Sequence, residues 1–485
     1  MEFYYYILIA LAAVIVGFIV FLNVNALLCV KKRGVTDAPR KTAGEAENNE
    51  YVRKLQRIIS CRTVFSDDYD DTEFKKLRDI LAEEFPLVHK NAELQIFGTG
   101  CLIYKLKGEN QAKNVMLMSH HDVVEAEGEW RFPPFSGEVA DGCVWGRGTL
   151  DTKTPLFGIL QAAEEILKEG GKFPCNIWIG SSNNEEICGD GIPEAVEYFK
   201  QNNIRFDCVI DEGGAITSDK MPSVKIKSAM IAVHEKGRHT VKCVARTQSA
   251  GHQGLNPVKG NAISRMCRFI CEAVDADIFK CGFYPEVERT FITHAPYMSY
   301  PYRLLFANFK YLKGLLRILL PKVNSSIAAM MQTGLYFTTI HGGTRHHIQA
   351  KEVTAYAFFR CVREDILKGE MEKFNEIAKK YNIETTPELA DYCRPSDDSG
   401  AYYKLMEKII NQNFPDVIVA PFLLTAGSDA RHFTDIADCI LRFAPLDIKP
   451  EQFNTIHSSD ENVSVSSVGE CVCFYKDYIK ALETL

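Results

Sequence analysis

Apolar residues follow two different patterns along this chain. From Phe3 to Val30 no residue is charged, and this run is long enough to cross about 30 Å of hydrocarbon as a single helix. From about residue 49 onward, stretches with an apolar residue every three or four positions alternate with short, continuous apolar runs. The stretches predict amphipathic helices, and the runs predict buried strands.

Residues 71–85 and 155–171 show the helical spacing, and the second stretch ends at a Gly-Gly pair. The continuous apolar runs are VMLM at 115–118, NIWIGSS at 176–182 and CVI at 208–210. Strands that alternate with amphipathic helices predict an α/β fold, in which a mixed, mostly parallel sheet has helices on both faces. Because 485 residues exceed the usual size of one core, we expect at least two domains.

The first 30 residues predict a single transmembrane helix, and the polar residues 31–48 predict a linker to the folded body. A cleaved signal peptide is the alternative. The apolar run is longer than the core of a typical signal peptide, and Glu2 stands where basic residues are expected, so the anchor is favoured. Lys31, Lys32 and Arg33 follow the run, and the positive-inside rule predicts that the body behind them faces the cytoplasm.

Composition excludes some classes of function. The chain is 46% hydrophobic and 25% charged, which is typical of globular proteins, and its net charge is -7. It therefore has no broad basic surface for phosphate backbones, and we expect no nucleic-acid partner. The sixteen cysteines are scattered without a CxxC pair, and several lie in apolar runs, which predicts buried, reduced thiols.

Histidine and acidic residues follow the apolar runs directly. The set comprises His120 and Asp122 after VMLM, Glu185 and Glu186 after NIWIGSS, Asp211 after CVI, Asp151 in GRGTLDTK and His457 in NTIHSSDENV. In open α/β sheets the carboxyl ends of the strands form the edge where ligands bind, so we expect these side chains to converge there.

This combination of residue types indicates a metal centre. Histidine and carboxylates without cysteine suit a divalent ion such as zinc. Two histidines together with even three of these carboxylates are too many ligands for one tetrahedral ion that keeps an open position. They fit two ions about 3.5 to 4 Å apart that share a bridging carboxylate.

Eight ordered motifs also resemble a known family. They are LMSHHDVV, WRFPPFSGEVADGCVWGRGTLDTK, NNEEICGDG, VIDEGG, AGHQGLNP, IHGGTRHH, GSDARHF and IHSSDENV. Their order and spacing, from about residue 50 to 485, resemble the di-zinc amidohydrolases of the acetylornithine deacetylase, succinyl-diaminopimelate desuccinylase and aminoacylase family. Within it, the chain is most similar to the carboxypeptidase S and N-fatty-acyl-amino-acid hydrolase branch.

The resemblance implies a role for each residue of the set. The implied ligands of two zinc ions, for which Co²⁺ or Mn²⁺ can substitute, are His120 and His457 on separate ions, Asp151 as the bridge, and Glu186 and Asp211 as terminal ligands. Asp122 is expected to orient the ligating histidine, and Glu185 is expected to act as the general base. His121 falls at the variable position of its motif and is expected not to bind metal.

The resemblance also implies a second domain, an inserted α+β lid at residues 233–362 that can form a homodimer. The catalytic domain then consists of residues 49–232 and 363–485. His252, in the lid, is expected to reach the substrate and help hold its oxyanion. Residues 282–331 are expected to enlarge this lid, either as a wall for acyl chains or as ordinary lid core or membrane-proximal packing.

The expected substrate is a peptide or an N-acyl amino acid. Arg431 matches the carboxylate-binding arginine of the family, and its planar fork suits a free carboxylate. We therefore expect a membrane-tethered di-zinc hydrolase that cleaves an amide next to a free carboxylate. A dipeptidase of the same family and a catalytically silent binding protein are the alternatives. The chain departs from the family pattern, at positions that bear on specificity, with Glu125, Asn183, Asn184 and His347.

Overall fold

The computed structural model describes residues 2–29, 35–66, 68–218, 221–247, 260–276 and 278–485. Its α-helices are α1 Glu2–Leu28, α2 Glu45–Ile59, α3 Thr72–Glu84, α4 Pro86–Asn91, α5 Lys153–Lys168, α6 Gly191–Gln201, α7 Ala262–Asp275, α8 Pro285–His294, α9 Tyr300–Phe306, α10 Phe309–Val323, α11 Ser325–Met331, α12 Glu364–Lys380, α13 Ala401–Asn413, α14 Pro450–Phe453 and α15 Val465–Ala481. Its strands are β1 Glu93–Phe97, β2 Cys101–Leu106, β3 Gly108–Met118, β4 Glu138–Ala140, β5 Cys143–Trp145, β6 Phe173–Ser181, β7 Cys208–Asp211, β8 Ile216–Thr217, β9 Ser228–Glu235, β10 Gly237–Arg246, β11 Gly334–Gly342, β12 Glu352–Cys361, β13 Glu384–Asp391, β14 Ile418–Leu424, β15 Ile440–Arg442, β16 Asp447–Ile448 and β17 Asn462–Ser464.

A ten-stranded mixed sheet forms the main body. Its order is β1-β2-β6-β3-β7-β15-β9-β8-β16, with β14 beside β9. The pairs β6-β3, β3-β7 and β7-β15 at its centre are parallel, whereas β1-β2 and β2-β6 at one edge are antiparallel. The predicted mixed α/β sheet is confirmed.

Strand β3 shows why helices cover both faces of this sheet. Val115 and Leu117 belong to the core beneath α2, α3, α5, α13 and α15, whereas Met116 and Met118 belong to a second core beneath α6. Successive side chains of a strand point to opposite faces, so a continuous apolar run becomes a strand that is buried on both sides. The two predicted helical stretches correspond to α3 and α5, within three residues at each end.

The prediction of buried cysteines holds for part of the set. Nine of the sixteen are buried, among them Cys175, Cys208, Cys243 and Cys361, whereas Cys439 is partly buried and Cys188, Cys267 and Cys271 are exposed. Burial raises the pKa of Cys175 to about 11, so this thiol is neutral and inert at physiological pH.

A second, antiparallel sheet has the order β11-β12-β10-β13 and packs against α7 and α12. It begins at Gly237, because β9 pairs with β14 in the large sheet, and it includes β13, which lies beyond residue 362. The boundaries expected from the sequence, 233 and 362, therefore do not coincide with the limits of this sheet. Only Lys236 separates β9 from β10, so the apolar pattern does not show where one sheet ends and the other begins.

The helices α8–α11, here called the four-helix segment (Pro285–Met331), pack on the large sheet. Val287 and Phe291 share a core with Ala420 of β14, and Thr290 Oγ1 donates a hydrogen bond of 2.6 Å to the backbone oxygen of Pro421. The buried pair His234 Nδ1–Glu286 Oε1, at 2.9 Å, ties the same helix to β9. The expectation that residues 282–331 enlarge the lid is therefore wrong. Periodicity alone does not show which sheet a helix covers.

Helix α1 is the candidate membrane segment. The helix from Phe3 to Leu28 is long and apolar enough to cross a membrane, and its most apolar 18-residue window has no buried residue, whereas Ala26 near its end is buried. A signal sequence near an N-terminus has the same length and composition.

Candidate metal centre

The predicted ligands come from neighbouring strands of the large sheet. Strands β6, β3 and β7 lie side by side and parallel, with Met118 opposite Gly180 and Leu117 opposite Ile210. Their carboxyl ends therefore present the residues that follow them at one edge of the sheet. These residues include His120 after β3, and Asp211 is the last residue of β7.

The carboxylate of Asp151 lies between two histidines. Its Oδ1 is 3.0 Å from Nε2 of His120, and its Oδ2 is 3.0 Å from Nε2 of His457. The same His457 nitrogen is 3.1 Å from Oε2 of Glu186. One ligand atom each from His120, Asp151 and Glu186 lies within 4.8 Å of the others, so this group could hold a metal ion. Because each oxygen of Asp151 faces a different histidine, the donor set fits two ions with a shared carboxylate.

Asp122 fixes the orientation of its neighbours. His120 Nδ1 donates to the backbone oxygen of Asp122 at 3.0 Å and lies 3.4 Å from its Oδ1, which leaves Nε2 free to face Asp151. The carboxylate of Asp122 also accepts the backbone N–H groups of Glu185 and Glu186, at 3.2 and 3.0 Å. The first histidine and the glutamate pair are therefore held by one fully buried side chain.

Asp211 is a further buried carboxylate beside this group. Its Oδ2 accepts a hydrogen bond of 2.9 Å from the backbone N–H of Ala430. Burial raises its pKa, and the nearby His120 opposes that shift. Next to it, burial and the charge of Asp211 raise the pKa of Asp429 to about 7, although the hydroxyl of Ser182 donates to Asp429. A cation is the simplest way to stabilise so many adjacent carboxylates in their charged form.

The carboxylates hold protons on both histidines when no metal is bound. Hydrogen bonds with Asp151 and Glu186 raise the pKa of His457 to about 10. Burial alone lowers the pKa of His120, but the hydrogen bonds with Asp122 and Asp151 outweigh it and raise that pKa well above its usual value. A metal ion needs the unprotonated imidazole nitrogen, so metal and protons compete for these two side chains.

The carboxylate of Glu185 faces Arg431. Its Oε1 lies 3.8 Å from a terminal nitrogen of that arginine. Burial and the charge of Asp429 raise the pKa of Glu185 well above its usual value, which suits a group that takes up a proton near neutral pH. Arg431 is itself buried, and its Nε donates to the backbone oxygen of Ser428 at 2.6 Å.

Comparison with known proteins identifies the family. The model of peptidase family M20/M25/M40 matches residues 116–481. The chain belongs to this family. Membership makes it a hydrolytic metallopeptidase, and the resemblance seen in the sequence is confirmed.

Two relatives and one solved structure illustrate the match to family M20/M25/M40. The probable carboxypeptidase S-like 2 of Dictyostelium discoideum is 28% identical over 451 residues, which covers 90% of this chain and 85% of the relative. The N-fatty-acyl-amino acid synthase/hydrolase PM20D1 of Xenopus tropicalis is 27% identical over 501 residues, covering 98% and 95%. The crystal structure of the M20 family metallo-carboxypeptidase Sso-CP2 from Sulfolobus solfataricus has the same fold, with a TM-score of 0.66 at 17% identity, covering 90% of this chain and 100% of that one.

The structure places His121 apart from the ligands of this M20/M25/M40 chain. His121 is fully buried, its Nδ1 lies 2.8 Å from Oγ of Ser181, and its ring packs edge-on against Phe74. Burial lowers its pKa to about 3, so the ring is neutral. It contributes to the packing behind β3 and not to the metal group.

The departures from the family pattern have local roles where the structure describes them. Asn183 Nδ2 donates to Oγ1 of Thr99, and Asn184 Nδ2 donates to Asp190, so both asparagines hold the loop after β6. The other two are on the surface: Glu125 pairs with Arg62, and His347 is exposed. His252 lies outside the described residues.

Sequence reasoning missed the most heavily bonded carboxylate of this site. Glu461 is fully buried and accepts hydrogen bonds from Arg147 and from the backbone N–H groups of Gly148, Leu150 and Asp151, at 2.6 to 3.2 Å. It follows His457 by four residues in the chain, so it fastens the segment that carries this histidine to the segment that carries Asp151. Its position inside the motif IHSSDENV was the only available signal.

Proposed function

We propose that the protein is a zinc-dependent amidohydrolase that cleaves an amide bond next to a free carboxylate. The observation that carries the proposal is the placement of two histidines on the two oxygens of Asp151, with Glu185 directed at Arg431. The first feature suits two metal ions, and the second brings a proton acceptor beside a cation that can hold a substrate carboxylate.

In this proposal His120 and Asp211 would hold one zinc ion, and His457 and Glu186 would hold the other. Asp151 would be shared by both, and Co²⁺ or Mn²⁺ could take the place of zinc. When bound, the two ions polarise the amide carbonyl and lower the pKa of the attacking water. Asp122 keeps the proton of the His120 ring on Nδ1, so Nε2 is the nitrogen that can bind a metal ion.

Glu185 acts as the general base and then as the general acid. It accepts a proton from the attacking water and delivers it to the nitrogen of the leaving amine, so the amide C–N bond breaks and an acid and an amine are released. The carboxylate can serve both steps because it lies 3.8 Å from Arg431 and follows β6 at the edge of the sheet where the predicted ligands meet.

The substrate class follows from the two ends of the site. Arg431 can donate two parallel hydrogen bonds to a substrate carboxylate. An apolar cavity of about 450 Å³ is lined by Gly213, which follows Asp211 by two residues in the chain, and by Met230, Met330 and Leu424. We assign this cavity to the apolar part of the substrate. The names of the relatives, carboxypeptidase S-like and N-fatty-acyl-amino acid hydrolase, support an N-acyl amino acid or a peptide with an apolar side chain.

The test of this function is hydrolysis of matched substrates by the wild type and by Arg431→Lys. The substrates are N-acyl amino acids with short and long acyl chains, and dipeptides, each as the free acid and as the carboxamide. Lysine keeps the positive charge but lacks the two parallel N–H donors of the guanidinium. The value of kcat/KM for the free acids should therefore fall by about 10-fold to 100-fold, while kcat/KM for the carboxamides should change little.

The matched control is Arg394→Lys, because Arg394 is an exposed arginine that pairs with Asp435 on the surface. It should leave both substrate classes unaffected. An equal loss on acids and carboxamides in Arg431→Lys would assign that arginine a structural role. Preference for dipeptides over long-chain acyl amino acids would identify the dipeptidase alternative.

Metal binding should release protons at pH 7.5, because neighbouring carboxylates favour the protonated form of both histidines. The pKa of His457 is raised to about 10 and that of His120 well above its usual value, so each imidazole loses a proton when it binds an ion. Zinc binding should therefore release about two protons per chain, and zinc affinity should rise with pH below about 10. Calorimetry in two buffers of different ionisation enthalpy measures the number. His457→Gln should release about one proton fewer, and a release below one proton in the wild type would contradict the assignment.

The proposed location is a membrane. Helix α1 serves as a single-pass anchor, and the catalytic body faces the cytoplasm, since Lys31, Lys32 and Arg33 follow the apolar run. The oxyanion role of His252 and a homodimer through the small domain stay predictions.

A further inference from the structure

One long segment of this acidic chain contains no acidic residue. From Ala295 to Lys351 there is no Asp or Glu, although the whole chain has 63 of them, and seven residues in this range are Lys or Arg. The helices α9 and α10 lie within it and carry Arg303, Lys310, Lys313, Arg317 and Lys322. The surface made by these helices is therefore strongly basic.

Helix α10 has three separate stripes. Phe309, Leu316 and Leu320 face inward and are buried. At positions i, i+4, i+7 and i+8, the side chains Tyr311, Leu315, Ile318 and Leu319 form an apolar stripe that is 43% to 56% exposed. The basic stripe, at i, i+3 and i+7, consists of Lys310, Lys313 and Arg317. This division of an exposed helix into apolar and basic sides is the pattern of a helix that lies in a membrane interface.

The apolar stripe continues onto α1. The ring of Tyr311 packs edge-on against Phe21, with centroids 5.1 Å apart, and lies 6.5 Å from Phe18. Asn308, at the start of α10, donates to the backbone oxygen of Leu22 at 2.8 Å and accepts from Nδ2 of Asn25 at 3.0 Å. These contacts fall on the last third of α1. They set α10 where the proposed membrane helix leaves the hydrocarbon.

We propose that α10 is a second membrane contact, which lies flat in the headgroup region of the bilayer that α1 crosses. The inference rests on the proposed membrane location of α1. The apolar stripe reaches the acyl chains, and the basic stripe meets anionic lipid headgroups. One basic side chain, Lys313, also pairs with Glu288 of α8. An anionic bilayer fits this surface because the basic side chains of α9 and α10 come from a stretch of chain that contains no acidic residue.

The experiment uses the full chain in vesicles that contain a phosphatidylcholine with a diazirine near the glycerol end of its acyl chain. After illumination, labelled peptides are identified by mass spectrometry. Labels are expected on α10 as well as on α1, and the α10 label should increase when about 30 mol% phosphatidylserine is added.

Two variants sharpen the result. Leu315→Asp combined with Ile318→Asp places charges on the exposed apolar stripe, so the α10 label should fall at least about fivefold while the α1 label stays. Val274→Asp, an exposed apolar position on α7, is the matched control and should change neither label. Labels on α1 alone in the wild type would overturn the docking of α10. Labels on neither helix would overturn the membrane location itself, so the two failures are distinguishable.

Discussion

Replacing Glu185 with glutamine should leave the metal content unchanged and lower kcat by about 10²-fold to 10⁴-fold. This loss corresponds to roughly 3 to 5 kcal/mol of barrier at 1.36 kcal/mol per factor of ten. The reason is that Glu185 faces Arg431, whereas its neighbour Glu186 faces His457 at 3.1 Å. The backbone N–H groups of both residues bind the carboxylate of Asp122. Their side chains nevertheless have different proposed roles, proton transfer for Glu185 and metal binding for Glu186.

Glu186→Gln is the matched variant, because it removes the same charge one residue away. It should lower both metal occupancy and activity, since an amide is a weaker ligand for zinc than a carboxylate. Bound metal and kcat are measured on both purified proteins. Loss of zinc in Glu185→Gln with retention in Glu186→Gln would reverse the assignment, and full activity in both would place the reaction elsewhere.

Glu461→Gln should destabilise the protein by about 3 to 5 kcal/mol, the usual cost of breaking a buried ion pair on one side. The hydrogen-bond partners of Glu461 in the described part of the chain are all donors: the guanidinium of Arg147 and the backbone N–H groups of Gly148, Leu150 and Asp151. A glutamine keeps the shape, but its NH₂ group then faces an N–H donor, and the guanidinium of Arg147 loses its charge partner. Because the Asp151 N–H is one of these donors, zinc affinity should fall as well.

The urea midpoint and the zinc content measure these effects. Glu125→Gln is the control, since Glu125 pairs with Arg62 on the surface, where both side chains are more than half exposed. Such pairs contribute less than about 1 kcal/mol. A midpoint for Glu461→Gln within the range of this control would show that the hydrogen bonds of Glu461 do not hold the site together.

The parts of the site that follow strands could be predicted from the sequence. His120 and the glutamate pair come directly after continuous apolar runs, and neighbouring parallel strands deliver such residues to one edge. The helices α3 and α5 were also predictable, because a 3.6-residue period is a local property of the chain. These features need no knowledge of distant contacts.

Other parts depend on contacts that no local pattern carries. Glu461 and Gly148 are separated by 313 residues, and nothing in the spacing of IHSSDENV shows what its glutamate binds. The four-helix segment has an ordinary amphipathic pattern, so only the folded chain shows that it covers β14 and not the small sheet. Likewise, His120 and His121 are adjacent in a motif. Only the folded chain shows that His120 faces Asp151 and that His121 packs behind the strand.

The link between Glu461 and the loop at 147–151 has a consequence for biosynthesis. Asp151 leaves the ribosome some 310 residues before Glu461, and the small sheet and the four-helix segment are made in the interval. A nascent chain that ends before residue 457 carries the bridging carboxylate and one histidine but lacks the second histidine and the carboxylate that fixes the loop. With the proposed ligands, metal loading is a late event in the life of each molecule, and a chain interrupted before residue 457 lacks a complete metal centre to protect it from quality-control proteases.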